Sequence, residues 1–486
     1  MRIAAVLVSY ALAVLALAPY LDGVQRNRYK PLGRVRKGWP WVDLAIAVYA
    51  LALSASAWLW WPDEKWVGAY VLAAFLPETV WLAVRIKGVR PRLSARFWRL
   101  YAVAAALLAA PMACALVKAE YVYWWGVCGT MGYLVAAVAA GICYPLETRR
   151  NRRFEKREAE TLAKSNACLI GVTGSAGKTT VKRLIVSALG EGAYATKGNY
   201  NTPIGIALSI REMPAGTKWF VAEMGVGKPD DMKELLALYR PKVGVVTCVL
   251  PQHTAKFDRV EDIRQEKCRL LDQVEWGICH TSVGYPAHAT FGEGGDWWAE
   301  NVRLDKEGVS LTVCNRRERA DVRLPLPGRQ NVDNALCAYA VARHLGATPE
   351  EIRARWATVK GEPHRLEVKK NARGVWIVDD GYNCNIRGAE YALEYLRLYE
   401  GRKVVATSGI DESDDKLGLN VRLGEMIAQT ADVAVIVGDR YEKELRQGLG
   451  GYVPVYSVPN TEKSVALYAG LLREGDVLLI MADYKE

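Results

Sequence analysis

Five long apolar stretches fill the first part of this chain, and they constrain its fold more than any other feature. They fall at about 3–21, 41–61, 66–84, 98–117 and 121–145. Each is close to the roughly 20 residues that an α-helix needs to cross about 30 Å of hydrocarbon. A cleaved secretory signal would explain only the first stretch. We therefore predict an α-helical membrane domain over residues 1–145 with five transmembrane helices, four being the alternative.

Basic residues are unevenly distributed among the segments that connect these stretches. Arg and Lys are abundant after the first, third and fifth stretches, whereas the second and fourth connections offer only Lys65 and Lys118. Positively charged loops stay on the cytoplasmic side. The chain is therefore predicted to be a multi-pass protein of the plasma membrane, with its N-terminus outside and everything after residue 145 in the cytoplasm.

The net charge of +11 follows from the same distribution. Most of the excess lies beside the apolar stretches, where basic residues meet anionic lipid headgroups, so no nucleic-acid partner is predicted. The ten cysteines include no C-x-x-C pair, which argues against a zinc ribbon. In the cytoplasm they are predicted to be free thiols.

A Gly-rich segment, GVTGSAGKTT at residues 171–180, stands near the start of the polar part of the chain. It follows a short apolar strand and precedes a helix-like run, which is the context of a phosphate-binding loop. Backbone N–H groups in such a loop face nucleotide phosphates. Lys178 would reach the terminal phosphates of ATP, and Thr179 or Thr180 would bind Mg²⁺. The predicted nucleotide-binding residues of the loop are Gly174, Ser175, Ala176, Gly177, Lys178, Thr179 and Thr180.

The spacing of this loop departs from the strict G-x-x-x-x-G-K-[ST] pattern, because five residues separate Gly171 from Gly177. The loop by itself does not identify a reaction. Two classes of protein therefore stay open at this point. One is an enzyme that activates a substrate with ATP, and the other is a nucleotide-gated membrane transport or regulatory protein without ligase activity.

Beyond the loop, an ordered set of segments resembles the Mur ligase superfamily, and in particular its MurF-type ligases. These enzymes form amide bonds with ATP in peptidoglycan synthesis, and the MurF type adds D-Ala-D-Ala to the cytoplasmic precursor. The segments are TGSAGKTT (173–180), KGNYNTPIGIALSI (197–210), VAEMGVGKPDDM (221–232), PKVGVVTCVLPQHTAKF (241–257), EKCRLL (266–271), GRQNVDNALCAYAVA (328–342), HRLEV (364–368) and VDDGYNCN (378–385). The resemblance covers about residues 165–486.

The resemblance implies an α/β fold for this region. A P-loop central domain with a mostly parallel sheet would occupy residues 163–361, and a smaller Rossmann-like C-terminal domain would occupy residues 362–486. Residues 146–162 are charged and are predicted to form a basic helical connector. The strands predicted in the C-terminal domain lie near 375–379, 403–407, 433–437 and 477–481.

The family pattern also implies a reaction centre. Glu223 ends a strand, where its hard oxygens suit Mg²⁺, and His253 matches a family metal ligand. Lys267 matches a family lysine that is commonly carbamylated by CO₂, which would turn an ammonium into a carboxylate able to bind a second Mg²⁺. The implied catalytic residues are Lys178, Glu223, His253 and Lys267. The implied metal-binding residues are Thr179, Glu223, His253 and Lys267.

Residues of both domains would complete the site. Asn334 matches a family residue that contacts adenine, and an asparagine near a helix start can also be a helix cap. The histidine that the family usually has before Asn331 is replaced by Gln330. The implied nucleotide contacts near and within the C-terminal domain are Arg365, Asp380, Tyr382 and Asn383. The predicted acceptor-binding residues are Asn199, Asn201 and Thr202, a polar loop without such a role being the alternative.

The predicted function is membrane-anchored ligation of an amino acid or dipeptide to a carboxylate of a cell-envelope precursor, with ATP and one or two Mg²⁺ ions. Phosphoryl transfer to the carboxylate would give an acyl phosphate that the amine attacks. Residues 1–145 replace the soluble domain with which MurF-type ligases hold a uridine nucleotide, so a lipid-linked acceptor is predicted. The spans could instead contact a partner membrane protein. A poly-γ-glutamate-synthase-like polymer ligase is the alternative enzyme.

Overall fold

The computed structural model describes residues 2–26, 39–60, 69–71, 73–77, 80, 93–118, 120–250, 257, 259–382, 385–411 and 415–482. The chain divides into two compact units, Met1–Arg153 and Phe154–Glu486. The second unit contains two α/β domains, and each of them has its own parallel or mostly parallel sheet.

The first unit is α-helical. Its helices are α1 (Arg2–Arg26), α2 (Trp39–Trp60), α3 (Ala95–Val117), α4 (Tyr121–Thr130) and α5 (Gly132–Lys164), of which α5 continues past the end of the unit. Within the described residues, two helices are long and apolar enough to cross a membrane, over Ile3–Asp22 and Ala95–Val117. The pair α4 and α5 would add a third span if it crosses as one. The stretch at 66–84 lies partly outside the described residues, and five spans stay a prediction.

The fifth predicted stretch is not one straight helix, because α4 and α5 meet at a bend of 76°. At the end of α4, Thr130 Oγ1 donates to the carbonyl oxygens of Gly126 and Val127 at 3.1 and 2.9 Å. Gly129 and Gly132 flank the break, and glycine is a poor helix former. Hydropathy alone does not reveal such a break, since the apolar residues continue through it.

Several polar side chains inside the first unit pair with one another. Trp125 Nε1 donates to Ser9 Oγ at 2.8 Å, and the hydroxyls of Ser54 and Tyr70 lie 2.6 Å apart. Such pairing matters because an unsatisfied polar group is costly in apolar surroundings. The nine cysteines in the described part of the chain are free thiols.

The central α/β domain is built on a six-stranded parallel sheet. Its strands are β1 (Cys168–Thr173), β2 (Ala193–Ala195), β3 (Trp219–Glu223), β4 (Val243–Val246), β5 (Trp276–His280) and β6 (Ala289–Phe291). Their order in the sheet is β2-β3-β1-β4-β5-β6. The helices of the domain are α6 (Lys178–Leu189), α7 (Pro203–Arg211), α8 (Asp231–Leu238), α9 (Val260–Cys268), α10 (Gln330–His344) and α11 (Pro349–Trp356). Strand β1 is almost wholly buried, as expected for a parallel sheet covered on both faces.

The same domain also contains a small antiparallel sheet that is not among the predicted elements. It consists of β7 (Trp298–Leu304), β8 (Val309–Cys314) and β9 (Arg319–Leu324), in that order. Its buried residues join the core formed around β1, α6 and α10. The sheet is therefore an integral part of the domain.

The C-terminal domain has a second six-stranded sheet. Its strands are β10 (Glu367–Lys370), β11 (Trp376–Asp379), β12 (Lys403–Thr407), β13 (Val433–Val437), β14 (Val455–Val458) and β15 (Val477–Met481). They are ordered β10-β11-β15-β12-β13-β14, and only the β10–β11 pair is antiparallel among them. The accompanying helices are α12 (Ile386–Leu396), α13 (Lys416–Ala428), α14 (Glu442–Leu449) and α15 (Thr461–Leu471). The predicted α/β fold, with a central parallel sheet and a smaller C-terminal domain, is confirmed.

Candidate active site

The C-terminal ends of β3, β1 and β4 lie side by side, with β1 in the middle. Ligands of open parallel sheets bind beyond this edge. The predicted phosphate loop follows β1, Glu223 ends β3, and the segment that begins at Thr247 follows β4. The topology therefore gathers three of the predicted segments at one place.

The loop between β1 and α6 requires two of its glycines. Gly174 and Gly177 have φ angles of +145° and +79°, which residues with side chains rarely adopt. A Cβ on Gly174 would collide with the Thr247 hydroxyl, and one on Gly177 would lie 2.6 Å from Asn334 Oδ1. Glycine at both positions lets the loop pack closely against β4 and α10.

The segment after β4 holds the loop in place. Ser175 N donates to Cys248 O at 2.8 Å, and Leu250 N donates to Ser175 Oγ at 2.9 Å. Thr247 Oγ1 donates to Ala176 O at 2.5 Å. The first N–H groups of α6 have no partner within the helix, so the fixed loop aims them toward a phosphate.

Lys178 and Thr179 begin α6 beside this loop. The Lys178 ammonium donates to Gly174 O at 2.7 Å. Thr179 Oγ1 donates to Glu223 Oε2 at 2.9 Å, and Glu223 is only 2% exposed. A hydroxyl and a carboxylate are hard oxygen ligands of the kind that Mg²⁺ takes beside nucleotide phosphates. Thr179 and Glu223 therefore fit the predicted magnesium ion.

Lys182 also contacts Glu223, and it is not among the predicted site residues. Its Nζ lies 3.5 Å from Glu223 Oε2 and donates to the carbonyl oxygens of Thr196 and Gly198 at 2.9 and 2.5 Å. Burial lowers the pKa of Lys182, and the negative charge of Glu223 opposes that shift. A signal was present in the sequence, because Lys182 stands four residues after Lys178 and so on the same face of the helix.

Lys267 lies on α9 and is almost fully buried, with its Nζ 3.4 Å from Gly174 O. Burial, and then the positive charge of Lys178, lower the pKa of Lys267 to about 7. A substantial fraction of the amine is therefore neutral near neutral pH, and the neutral amine is the form that reacts with CO₂. The environment suits carbamylation, which stays a prediction.

Two predicted site residues, His253 and Asn383, lie outside the described residues. Their roles as a metal ligand and a nucleotide contact stay predictions.

A cavity of about 680 Å³ lies next to the loop and is lined by both domains of the second unit. Predicted residues in its lining are Ala176, Gly177, Thr180, Asn334, Arg365 and Asp380. Asn334 is in the second turn of α10, where its Nδ2 donates to Asn331 Oδ1 at 3.0 Å, so it is not a helix cap. Gln330 also lines the cavity, and its buried Oε1 has no partner among the described residues.

The C-terminal domain supplies a second group of predicted residues. The Arg365 guanidinium lies 4.5 Å from the centre of the Tyr382 ring, a favourable cation–π contact. Asp380 Oδ1 accepts from Leu366 N at 3.1 Å, and burial raises the pKa of Asp380 to about 7. Because the two domains line one cavity, a movement of either would open or close that cavity.

The three predicted acceptor-binding residues have different surroundings. Asn201 Nδ2 donates to Glu223 Oε1 at 3.3 Å, so Asn201 lies beside Glu223. Thr202 is the N-cap of α7, since its Oγ1 accepts from Gly205 N at 3.4 Å. Asn199 is exposed. The structure thus brings Asn201 to Glu223 and gives Thr202 a structural role.

Family comparisons agree with this arrangement. Residues 172–342 match the Mur ligase middle domain, and residues 364–484 match the Mur ligase, glutamate ligase domain. The chain belongs to the Mur ligase family.

Curated relatives of this Mur ligase include two UDP-N-acetylmuramoyl-tripeptide–D-alanyl-D-alanine ligases. The one from Escherichia coli (strain K12) is 27% identical over 279 residues, which cover 53% of this chain and 62% of the relative. The one from Mycobacterium bovis is 29% identical over 369 residues, which cover 67% of this chain and 72% of the relative. This chain therefore spans less than two thirds of the Escherichia coli relative.

Solved structures show the same fold. The MurF ligase from Thermotoga maritima in complex with ADP is similar with a TM-score of 0.59 and 25% identity, over 68% of this chain and 80% of that chain.

Proposed function

We propose that this Mur ligase joins an amino acid or a dipeptide to a carboxylate with ATP and Mg²⁺. The observation that carries the proposal is the convergence of Lys178, Thr179 and Glu223 at one edge of the central sheet. Phosphoryl transfer depends on positioning and charge neutralisation rather than on a covalent protein group. A phosphate-binding lysine beside a hydroxyl–carboxylate pair meets that requirement.

The reaction proceeds in two steps. The acceptor carboxylate takes the γ-phosphoryl group of ATP, which gives an acyl phosphate and ADP. The amine then attacks the acyl carbon, the bond from that carbon to the phosphate oxygen breaks, inorganic phosphate leaves, and the nitrogen loses a proton as the amide forms. Lys178 neutralises negative charge on the transferred phosphoryl group, while Thr179 and Glu223 would hold the ion. Mg²⁺ supplies further charge neutralisation when bound. In its carbamylated form, Lys267 would hold a second ion.

The acceptor in this proposal is a cell-envelope precursor. The relatives are named for UDP-N-acetylmuramoyl tripeptide and D-alanyl-D-alanine. The apolar helices within residues 1–145 favour a lipid-linked form of such a precursor, since a bilayer concentrates it near an anchored enzyme. The enzyme would then be a multi-pass plasma-membrane protein with its catalytic domains in the cytoplasm.

The test uses the full-length protein in lipid nanodiscs with ATP and Mg²⁺. Nucleotide-linked or lipid-linked muramoyl tripeptides serve as acceptors, and D-Ala-D-Ala or single amino acids serve as amines. We expect phosphate release only when acceptor and amine are both present, with an amide product identified by its mass. Lys178→Ala should lower the rate by about a hundredfold or more. Lys242→Ala removes an exposed lysine of the same domain and should leave the rate unchanged.

Two results would contradict the proposal. Rapid ATP hydrolysis without any amine would favour a nucleotide-gated transport or regulatory protein. Products in which one amino acid is added repeatedly would favour a polymer ligase of the poly-γ-glutamate-synthase type.

A further inference from the structure

Lys182 is a buried cation at the carboxylate that the proposed function assigns to the metal. Lys182 and Glu223 are each 2% exposed, and their charged atoms lie 3.5 Å apart. An unpaired charge would be very costly at such a depth. In the protein without a metal ion, the charge of each of these two side chains therefore compensates the charge of the other.

Asn201, a predicted acceptor-binding residue, ends a loop that both side chains contact. The Lys182 ammonium donates to the carbonyl oxygens of Thr196 and Gly198. From the other side, Glu223 N donates to Thr196 Oγ1 at 3.1 Å, and Asn201 Nδ2 donates to Glu223 Oε1. Thr196, Gly198 and Asn201 are thus held around the Lys182–Glu223 pair.

We propose that Lys182 is a resident counter-ion of Glu223 that keeps free Mg²⁺ out of the site and makes metal binding depend on the nucleotide. This inference rests on the proposed function, because it takes Glu223 as a metal ligand. An ammonium group and Mg²⁺ that share one carboxylate oxygen repel each other strongly in a buried site. The phosphates of ATP bring the negative charge that offsets this repulsion, so ion and nucleotide enter together.

Lys182 is accordingly a positioning residue, since it acts through Glu223 and the carbonyl groups of Thr196 and Gly198. A side chain that only supported the fold would affect stability but not the preference for metal with nucleotide. The two roles can be separated by variants that keep either the charge or the hydrogen-bond donor. Lys182→Arg keeps the charge, and Lys182→Gln keeps a donor without the charge.

The experiment measures binding of Mg²⁺, and of Mn²⁺ as its paramagnetic substitute, to the full-length protein in nanodiscs without nucleotide. We expect Lys182→Gln to bind the free ion about tenfold more tightly than the wild type or better, because one repulsive charge is gone. Lys182→Arg and the surface control Lys242→Gln should bind as the wild type does. In the wild type itself, ADP should tighten binding of the ion by about tenfold or more. That measurement needs no variant and tests the proposal even if Lys182→Gln does not fold.

The inference is overturned if folded Lys182→Gln binds free ion no more tightly than the wild type. It is equally overturned if ADP leaves ion binding to the wild type unchanged. Glu223→Gln separates this failure from failure of the proposed metal site. If Glu223→Gln loses ion binding and Lys182→Gln binds the ion no more tightly than the wild type, the proposed metal site stands and only the inference about Lys182 is wrong. If Glu223→Gln binds the ion as the wild type does, the proposed site is wrong as well.

Discussion

Asp380 is a half-buried carboxyl group that lines the cavity, and the protein stabilises its charged form poorly. Burial raises its pKa to about 7, although the Leu366 N–H bond and the charge of Arg365 act in the opposite direction. In an unfolded chain an aspartate has a pKa of about 4. Between these two values the folded protein binds a proton that the unfolded chain does not, so folding loses stability as the pH rises. Above about pH 7 this loss, at most roughly 4 kcal/mol, is complete.

The substitution Asp380→Asn removes this titration and keeps an oxygen that can accept from Leu366 N. We expect the variant to be more stable than the wild type at pH 8 and the difference to shrink toward pH 5. The measurement is the denaturant midpoint of both proteins at pH 8 and at pH 5. The difference between the two proteins at each pH removes the contribution of the other titrating groups, which both proteins share. A difference that grows on acidification would contradict the assignment.

The roles of single residues can be predicted from the sequence where a recognisable motif determines the backbone around them. The loop predicts Lys178 and Thr179, and the family pattern implies Glu223 at the end of a strand. Lys182 was missed because a lysine on an amphipathic helix usually faces solvent. Only the three-dimensional path of residues 196–198 shows that its ammonium is enclosed.

Among the elements, helix α7 depends on a cap that was predicted as a ligand contact. Its N-cap is Thr202, followed by Pro203 at the first helical position, where proline is favoured. Thr202→Ala should therefore lower the free energy of unfolding by about 1 kcal/mol, whereas Thr202→Ser should retain most of it. Thermal unfolding of the three proteins provides the measurement. Equal stability of the alanine and serine variants would show that the side-chain hydroxyl at position 202 does not stabilise the helix.

Strand prediction worked where strands are apolar and central. The runs at β12, β13 and β15 were located because they are rich in buried, mostly β-branched and aliphatic residues. The edge strands β10 and β14 were missed, since they are half exposed and short. Strand β9 alternates buried and exposed residues, which is typical of an antiparallel strand.

For the whole molecule, the proposed membrane topology makes a direct prediction. Five spans place Lys118 outside the cell and Arg150 inside. In a background with Cys114→Ser, Lys118→Cys should react with a membrane-impermeant maleimide added to intact cells, and Arg150→Cys should react only after lysis. Labelling of Arg150→Cys in intact cells, or failure of Lys118→Cys to react there, would rule out this topology.

The cavity shared by two domains has a consequence for how the catalytic part of the chain unfolds. Each domain has its own apolar core, so the two can lose structure independently when nothing links them. In the proposed function, a nucleotide held by both domains would stabilise only the state in which both are folded, and the two events would merge into one cooperative transition. The energy supply of the cell would then govern how long the folded enzyme survives, and not only how fast it works.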